Sequence, residues 1–392
     1  MGLRRVLFWL HLSAGVTAGA VIFIMAVTGV VLAYEKQILS LASQKYRVAS
    51  DSARLPLEDL LARISPDQGK LPSAITLRAA AGSPVELAFG RDVIQYINPY
   101  NGEWMGESRR LPAFFSTVEN LHRWLGTNEA GRAWGKAITG ACTLGFAGLT
   151  LSGPFLWWPR EWTRPNLKKI ALFRGGLTGR ARYWNWHNVL GVWCALPLFV
   201  IALTGVIMSY AWANNLLYRL TGNQPPVANV GATPRPPDRT GGSHAGREGR
   251  PIDSASRIPD FRALEILVAY AQKQIPRWQS MQVRMPGGRG PMTVFVDEGS
   301  GGRPDQRSQF VLNPQNGEIR WETFSSYNAG RRLRAWVRFS HTGEAGGMPG
   351  QTVAALACVS ASVLAFTGLA LSTKRLLAAR SSSAGPSDSP SK

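Results

Sequence analysis

Hydrophobic positions in this chain fall into two regimes. Four blocks, Leu12–Tyr34, Ala137–Trp158, Val189–Trp212 and Gly350–Thr373, contain no Asp, Glu, Lys or Arg. Each exceeds the roughly 20 residues needed to cross a hydrocarbon core of about 30 Å. The pattern predicts four membrane-spanning helices. Elsewhere the periods shorten. Leu57–Arg63 and Phe261–Ala271 repeat apolar residues at helical spacing, whereas Pro84–Phe89, Val93–Ile97, Pro291–Val296 and Ser308–Leu312 read as short strands. The first apolar block is too long for the core of a signal peptide and is expected to stay in the chain.

The two halves echo one another. His11 stands 17 residues before the pair Thr28-Gly29 and 23 before Tyr34; His187 stands 17 before Thr204-Gly205 and 23 before Tyr210. Ile97-Asn-Pro-Tyr-Asn-Gly-Glu103 returns as Leu312-Asn-Pro-Gln-Asn-Gly-Glu318. Pro presets φ and Asn-Gly tolerates positive φ, so both segments predict tight turns between strands. The chain reads as two copies of one unit, a helix, an α+β module and a second helix, in halves of roughly 1–175 and 176–380.

Charge orients the blocks. Arg4 and Arg5 precede the first, Lys374, Arg375 and Arg380 follow the last, and the loop between the second and third carries seven Lys or Arg against Glu161 alone. Short loops rich in Lys and Arg stay cytoplasmic. A multi-pass membrane protein is therefore expected, with both termini cytoplasmic and 35–136 and 211–349 outside. The net charge of +20 is largely this inner-face charge beside the lipid bilayer and does not call for a nucleic acid partner. Cys142, Cys194 and Cys358 lie inside the blocks, so no disulfide framework holds the outer segments.

The candidate chemistry is histidine. Of five histidines, His244 falls in a stretch rich in Pro, Gly and Arg, and the other four lie at or beside the apolar blocks. Ionisable side chains at membrane depth default to a functional reading. His11 and His187 open two blocks that run the same way, so they are expected at one inner depth. His122 and His341 precede the other two blocks and are expected outside. Each is followed by Glu-Ala-Gly, but at unequal distances: Gly131 is nine residues from His122 and Gly346 five from His341. Two imidazole pairs at two depths suit the iron of two haem b groups, because paired axial imidazoles leave no open position and favour electron transfer over oxygen chemistry. Arg5 and Arg182 inside, and Arg123 and Arg338 outside, are the cations expected near haem propionates. Thr28, Ser152, Thr204 and Thr367 each precede a glycine; helix back-bonding and pocket contact both account for such residues. A zinc site would add carboxylates or thiolates. No P-loop, dinucleotide fingerprint, C-x-x-C-H or nucleophile triad is present, so electrons are expected from membrane quinol or a cytoplasmic reductase.

Leu121-His-Arg123, Ser152-Gly with Trp157-Trp-Pro-Arg160, Arg182-Tyr-Trp-Asn-Trp-His-Asn188, His341-Thr-Gly-Glu-Ala-Gly346 and the His-to-Thr-Gly blocks complete a pattern covering nearly the whole chain. It resembles the PepSY-associated transmembrane proteins, also called PiuB-like or iron-regulated membrane proteins. The resemblance implies PepSY-like modules on the periplasmic side. Through the FoxB-type ferrisiderophore reductases it also implies two membrane haems and reduction of a ferric siderophore or other Fe(III) chelate to Fe(II).

The expected fold is thus a membrane protein with an all-α four-helix transmembrane bundle and two periplasmic α+β (PepSY-like) modules, made by internal duplication. Expected boundaries are 6–34 for the first span, 35–116 for module 1, 117–158 for an outer His segment and second span, and 159–185 for a cytoplasmic loop. The third span follows at 186–212, module 2 at 213–335 with a disordered insertion at 223–250, an outer His segment and fourth span at 336–373, and a disordered cytoplasmic tail at 374–392. Two other readings stay open: a PepSY-type regulatory or binding membrane protein without redox activity, and a haem relay to a different periplasmic redox partner.

Overall fold

The computed structural model describes residues 2–49, 53–63, 71–159, 161–226, 261–285 and 290–383. His244 and most of the expected insertion lie outside the described residues. Two compact units interleave along the chain: Met1–Ala33, Asn120–Asn214 and Ser340–Lys392 form one, Tyr34–Glu119 and Asn215–Phe339 the other.

The first unit is helical. Its long elements are α1 (Leu3–Leu32), α5 (Arg132–Trp157), α7 (Gly179–Trp193), α8 (Ala195–Ser209) and α12 (Gly347–Ser383), with the short α6 (Arg164–Ala171) before α7. The last turn of α4 (Arg110–Trp124) and the last two residues of α11 (Ala329–His341) belong to it as well. α1 packs along α12 and α5, α5 along α8, and α7 along α12. Small side chains let these backbones approach: Ala26, Ala357 and Ala361 are buried with Leu198.

The expected all-α four-helix transmembrane bundle is corrected here: the protein is mixed α/β. Among the described residues two helical runs, Leu3–Tyr46 and Glu344–Arg375, are long and apolar enough to cross a membrane, or up to three if one bent pair counts as a span. That pair is α7 and α8, which meet at 69° around Cys194. Pro197 accounts for the break, since it has no N–H to offer the Trp193 carbonyl and its ring crowds that oxygen. The block 137–158 forms α5, but its glycines, threonines and Pro154 dilute its apolar length. At the other end, α12 continues to Ser383, where a disordered tail was expected from residue 374; residues 384–392 lie outside the described set.

The second unit carries α2 (Glu35–Ser43), α3 (Leu57–Arg63), β1 (Ala74–Arg78), β2 (Val85–Phe89), β3 (Val93–Ile97) and β4 (Trp104–Ser108) from the first half. From the second half come most of α9 (Ala211–Leu220), α10 (Phe261–Gln274), β5 (Ser280–Arg284), β6 (Met292–Asp297), β7 (Arg307–Leu312) and β8 (Ile319–Thr323). A separate sheet was expected in each module. Instead all eight strands form one antiparallel sheet in the order β4-β3-β2-β1-β5-β6-β7-β8. The seam is the β1–β5 pair, which runs from Ala74 opposite Arg284 to Arg78 opposite Ser280. Ile75 and Val283, facing partners at the seam, are fully buried. Left as free edges, these apolar strands would expose unpaired N–H and C=O groups, and joining removes both edges at once. α3 and α10 cover one face, packing Leu57, Leu60, Leu264, Leu267 and Val268 onto Ile75, Leu87, Val283, Val294 and Phe310.

The repeated turn has one geometry in both halves. Asn98 Oδ1 accepts from Tyr100 N–H at 2.9 Å and Asn313 Oδ1 from Gln315 N–H at 3.0 Å. Gly102 (φ 75°) and Gly317 (φ 71°) then take the left-handed conformation that lets the chain re-enter the sheet.

Candidate functional site

Four histidines meet inside the helical unit as two facing pairs. The rings of His11, on α1, and His187, on α7, lie 6.5 Å apart between centroids at an interplanar angle of 83°. Those of His122, near the end of α4, and His341, the last residue of α11, lie 6.5 Å apart at 67°. Along α1 the site of His11 and the turn that holds His122 are 17 residues apart, about 25 Å at the helical rise.

Each imidazole is held by a hydroxyl that directly precedes a helical glycine. His11 Nδ1 lies 2.8 Å from Ser152 Oγ, and His122 Nδ1 lies 2.9 Å from Thr28 Oγ1. His187 Nδ1 is 3.0 Å from Thr367 Oγ1, and His341 Nδ1 is 3.2 Å from Thr204 Oγ1. The glycine beside each hydroxyl is what lets the ring lie against the helix. A Cβ on Gly368 would stand 3.3 Å from His187 Cε1, and one on Gly205 would stand 3.4 Å from His341 Cε1 and 3.0 Å from Thr143 Cγ2. At Gly29 and Gly153 the corresponding distances to His122 and His11 are 3.6 and 3.7 Å.

These contacts settle the tautomer. Each hydroxyl has one proton and gives it to the carbonyl four residues back: Thr28 to Ile24 at 2.7 Å, Ser152 to Gly148 at 2.8 Å, Thr204 to Val200 at 2.6 Å, Thr367 to Val363 at 2.7 Å. The oxygen is then left to accept, so Nδ1 carries the hydrogen and donates. For His341 a carbonyl near the same nitrogen gives the same answer, because it accepts only: Ile201 O lies 2.9 Å from Nδ1. In all four rings Nε2 keeps its lone pair, the state in which imidazole binds a metal.

The pairing has a simple logic within the chain. The hydroxyl that holds each histidine comes from the same half, α5 for His11, α1 for His122, α12 for His187 and α8 for His341. Each facing pair joins one ring from each half. Among the described residues no cluster of three or more His, Cys, Asp or Glu could hold a metal ion; what the helices assemble is imidazole in twos.

The four arginines expected near anionic groups are placed as follows. Arg182 is exposed, 5.8 Å over the Tyr183 ring and 5.7 Å over Trp186. Arg123 lies 4.5 Å over Trp124, Arg338 lies 5.2 Å over Phe339, and Arg5 is exposed on the first turn of α1. The structure adds cations that the sequence reading used only for orientation. Arg4 donates to the carbonyls of Leu156 and Trp158 at the end of α5. Lys374 lies 5.0 Å over Tyr183, and Arg375 lies 4.9 Å over Phe8. Their signal was position, just outside the first and last apolar blocks.

The family model described as PepSY-associated TM region matches residues 8–375 of this chain. That range contains all four paired histidines and their hydroxyl partners. No curated protein matches the chain.

Proposed function

Because the chain belongs to the PepSY-associated transmembrane family, and is a membrane protein with at least two candidate spans, we propose that it is an inner-membrane oxidoreductase that carries electrons across the bilayer to a periplasmic ferric siderophore or similar Fe(III) chelate. In this reading both termini are cytoplasmic, and the electron donor is membrane quinol or a cytoplasmic reductase.

One observation carries the reading: two facing imidazole pairs, each ring held through Nδ1–H with Nε2 left basic. The spacing leaves room for one metal ion between the rings. Two imidazoles that each bound it through Nε2 at about 2 Å, with about 1.1 Å from nitrogen to ring centre, would have centroids about 6.2 Å apart. Both pairs stand at 6.5 Å. The donor set also suits haem iron, since two neutral imidazoles without carboxylate or thiolate form a low-spin electron-transfer site. Trp157 Nε1 is buried without a hydrogen-bond partner among the described residues, on the helix that holds His11; it supplies a donor for a propionate.

When bound, two haem b groups supply one-electron transfer between the two depths. The chain's own residues do the rest. His11 and His187 hold one group, His122 and His341 the other. Ser152, Thr28, Thr367 and Thr204 fix ring orientation and raise Nε2 basicity through the Nδ1–H bond. The paired glycines let flat surfaces approach the helices, and the surrounding apolar side chains exclude water. Reducing Fe(III) in the chelate to Fe(II) loosens the metal, because hard oxygen donors hold the smaller, more charged ion better.

The experiment is direct. Protein purified after expression with ample haem precursor is reduced anaerobically, and ferric chelates are added with an Fe(II)-trapping dye present. The expected result is a b-type reduced-minus-oxidised spectrum that collapses as trapped Fe(II) accumulates. A colourless protein, or pigment that stays reduced with every chelate, would overturn the reading.

A further inference from the structure

The loop between α5 and α7 builds a second feature, remote in sequence from the outer histidines. A surface cavity of about 470 Å³ is lined by Arg174, Leu177, Arg180, Ala181, Trp184 and Asn185. Its wall is constructed rather than incidental. Asn185, 1% exposed, accepts from Arg174 N–H at 3.1 Å and donates to the Leu172 carbonyl at 3.2 Å, which ties the loop to α7. The Arg174 backbone is thereby fixed beside α7, whose first turn carries Arg180. Neither guanidinium makes an ion pair among the described residues. Two forked cations lining one cavity fit a phosphate oxygen cluster. Lys374, over the Tyr183 ring of the same helix, adds positive potential nearby.

The surroundings say which phosphate. Leu172, Phe173, Trp184 and Trp186 are all large, apolar and exposed beside these cations. A site for a soluble anion gains nothing from exposed Leu and Phe. Next to basic groups, such side chains belong at the headgroup boundary, where rings sit at the glycerol level and aliphatic groups reach the acyl chains. α6 fits the same setting: Lys168 and Lys169 lie in its last turn, its Ile170 is buried, and Trp193 Nε1 donates to the Ala171 carbonyl at 2.8 Å.

We propose that this cavity binds the phosphodiester headgroup of an anionic phospholipid. Arg174 and Arg180 engage the phosphate oxygens, Trp184 packs at the glycerol level, and Leu172 and Phe173 follow the chains. The site is independent of haem.

The test is native mass spectrometry of the full-length protein in neutral detergent, titrated with phosphatidylglycerol or phosphatidylcholine. The wild type is expected to retain the anionic lipid about tenfold better or more, and R174Q/R180Q is expected to lose that preference. Both arginines are exposed, so the variant should melt like the wild type. R262Q/R277Q, which removes the same charge from the second unit, should keep the preference. Equal retention of the two lipids by the wild type, or a preference unchanged in R174Q/R180Q, would overturn the proposal. So would displacement of the lipid by excess inorganic phosphate, which would make this a soluble-anion site. Should R174Q/R180Q fail to fold, R174K/R180K, which keeps the charge and loses the fork, is expected to hold the anionic lipid more weakly than the wild type, and equal retention would overturn the proposal.

Discussion

His341 Nδ1 and Thr204 Oγ1 are 3.2 Å apart, and the Ile201 carbonyl sits 2.9 Å from the same nitrogen. One N–H is thus gripped by two acceptors of a single helical turn. His122 and His187 likewise each meet one threonine hydroxyl and one backbone carbonyl, Thr28 and Met25 for the first, Thr367 and Leu364 for the second. A residue that back-bonds to its own helix becomes a receptor for an imidazole from another, because its donor capacity is spent and its lone pair points outward.

Thr367 is fully buried, so Thr367→Val keeps the shape and deletes the acceptor. We expect a loss of about 1 kcal/mol, the usual worth of one hydrogen bond when a second acceptor remains. Thermal unfolding followed by circular dichroism checks it; a Val variant that melts with the wild type would remove the hydroxyl from the account.

Pigment should divide by pairs. In the proposed function, H11A/H187A and H122A/H341A each lose about half of the bound haem and the quadruple variant loses all of it, by pyridine haemochrome assay. Full pigment in either double variant contradicts the assignment of that pair.

Gly205, the most closely approached of the four glycines, should be less tolerant than Gly153, the least. Gly205→Ala places a methyl 3.0 Å from Thr143 Cγ2 and 3.4 Å from His341 Cε1, whereas Gly153→Ala meets His11 at 3.7 Å, an ordinary contact. We expect G205A to destabilise by about 1–3 kcal/mol through overpacking and G153A to be near neutral. Melting temperatures of the two variants, measured side by side, give the comparison.

Tyr96 gives a pH signature of the sheet. It is buried and stacked on Tyr46 with centroids 4.1 Å apart, and its phenol is pushed up to about 12, first by desolvation and then by the Glu86 carboxylate. The folded pKa exceeds the unfolded value near 10, so the neutral form is the one that folding favours. The resulting stability is fully present below pH 10 and is lost as pH rises through 12. Tyr96→Phe should flatten alkaline unfolding across that window; an unchanged profile would show that Tyr96 is not the group responsible.

Much of the second unit was legible along the chain. Val93–Ile97 and Ser308–Leu312 alternate or run apolar as strands do, and Asn98-Pro-Tyr-Asn-Gly102 turns by chemistry local to five residues. The β1–β5 seam was not legible. It joins strands about 200 residues apart, and nothing in either strand's period distinguishes a partner from a free edge. The α7–α8 break was written in Pro197, but an apolar average counts its side chain and overlooks its missing N–H. That break accounts for one of the four spans, and the glycines, threonines and Pro154 of α5 for another, which leaves two helical runs, or three, that meet the requirement among the described residues.

By itself the sequence determined which atoms are available: imidazoles beside apolar blocks, hydroxyls directly before glycines, and arginines in the loop ahead of α7. These follow from residue type and local spacing, which need no partner. Only the tertiary structure decided that Ser152 holds His11, that Thr367 holds His187, and that rings from opposite halves face each other. Such pairings depend on which helices lie side by side, and packing between distant segments sets that through the small residues at their crossings.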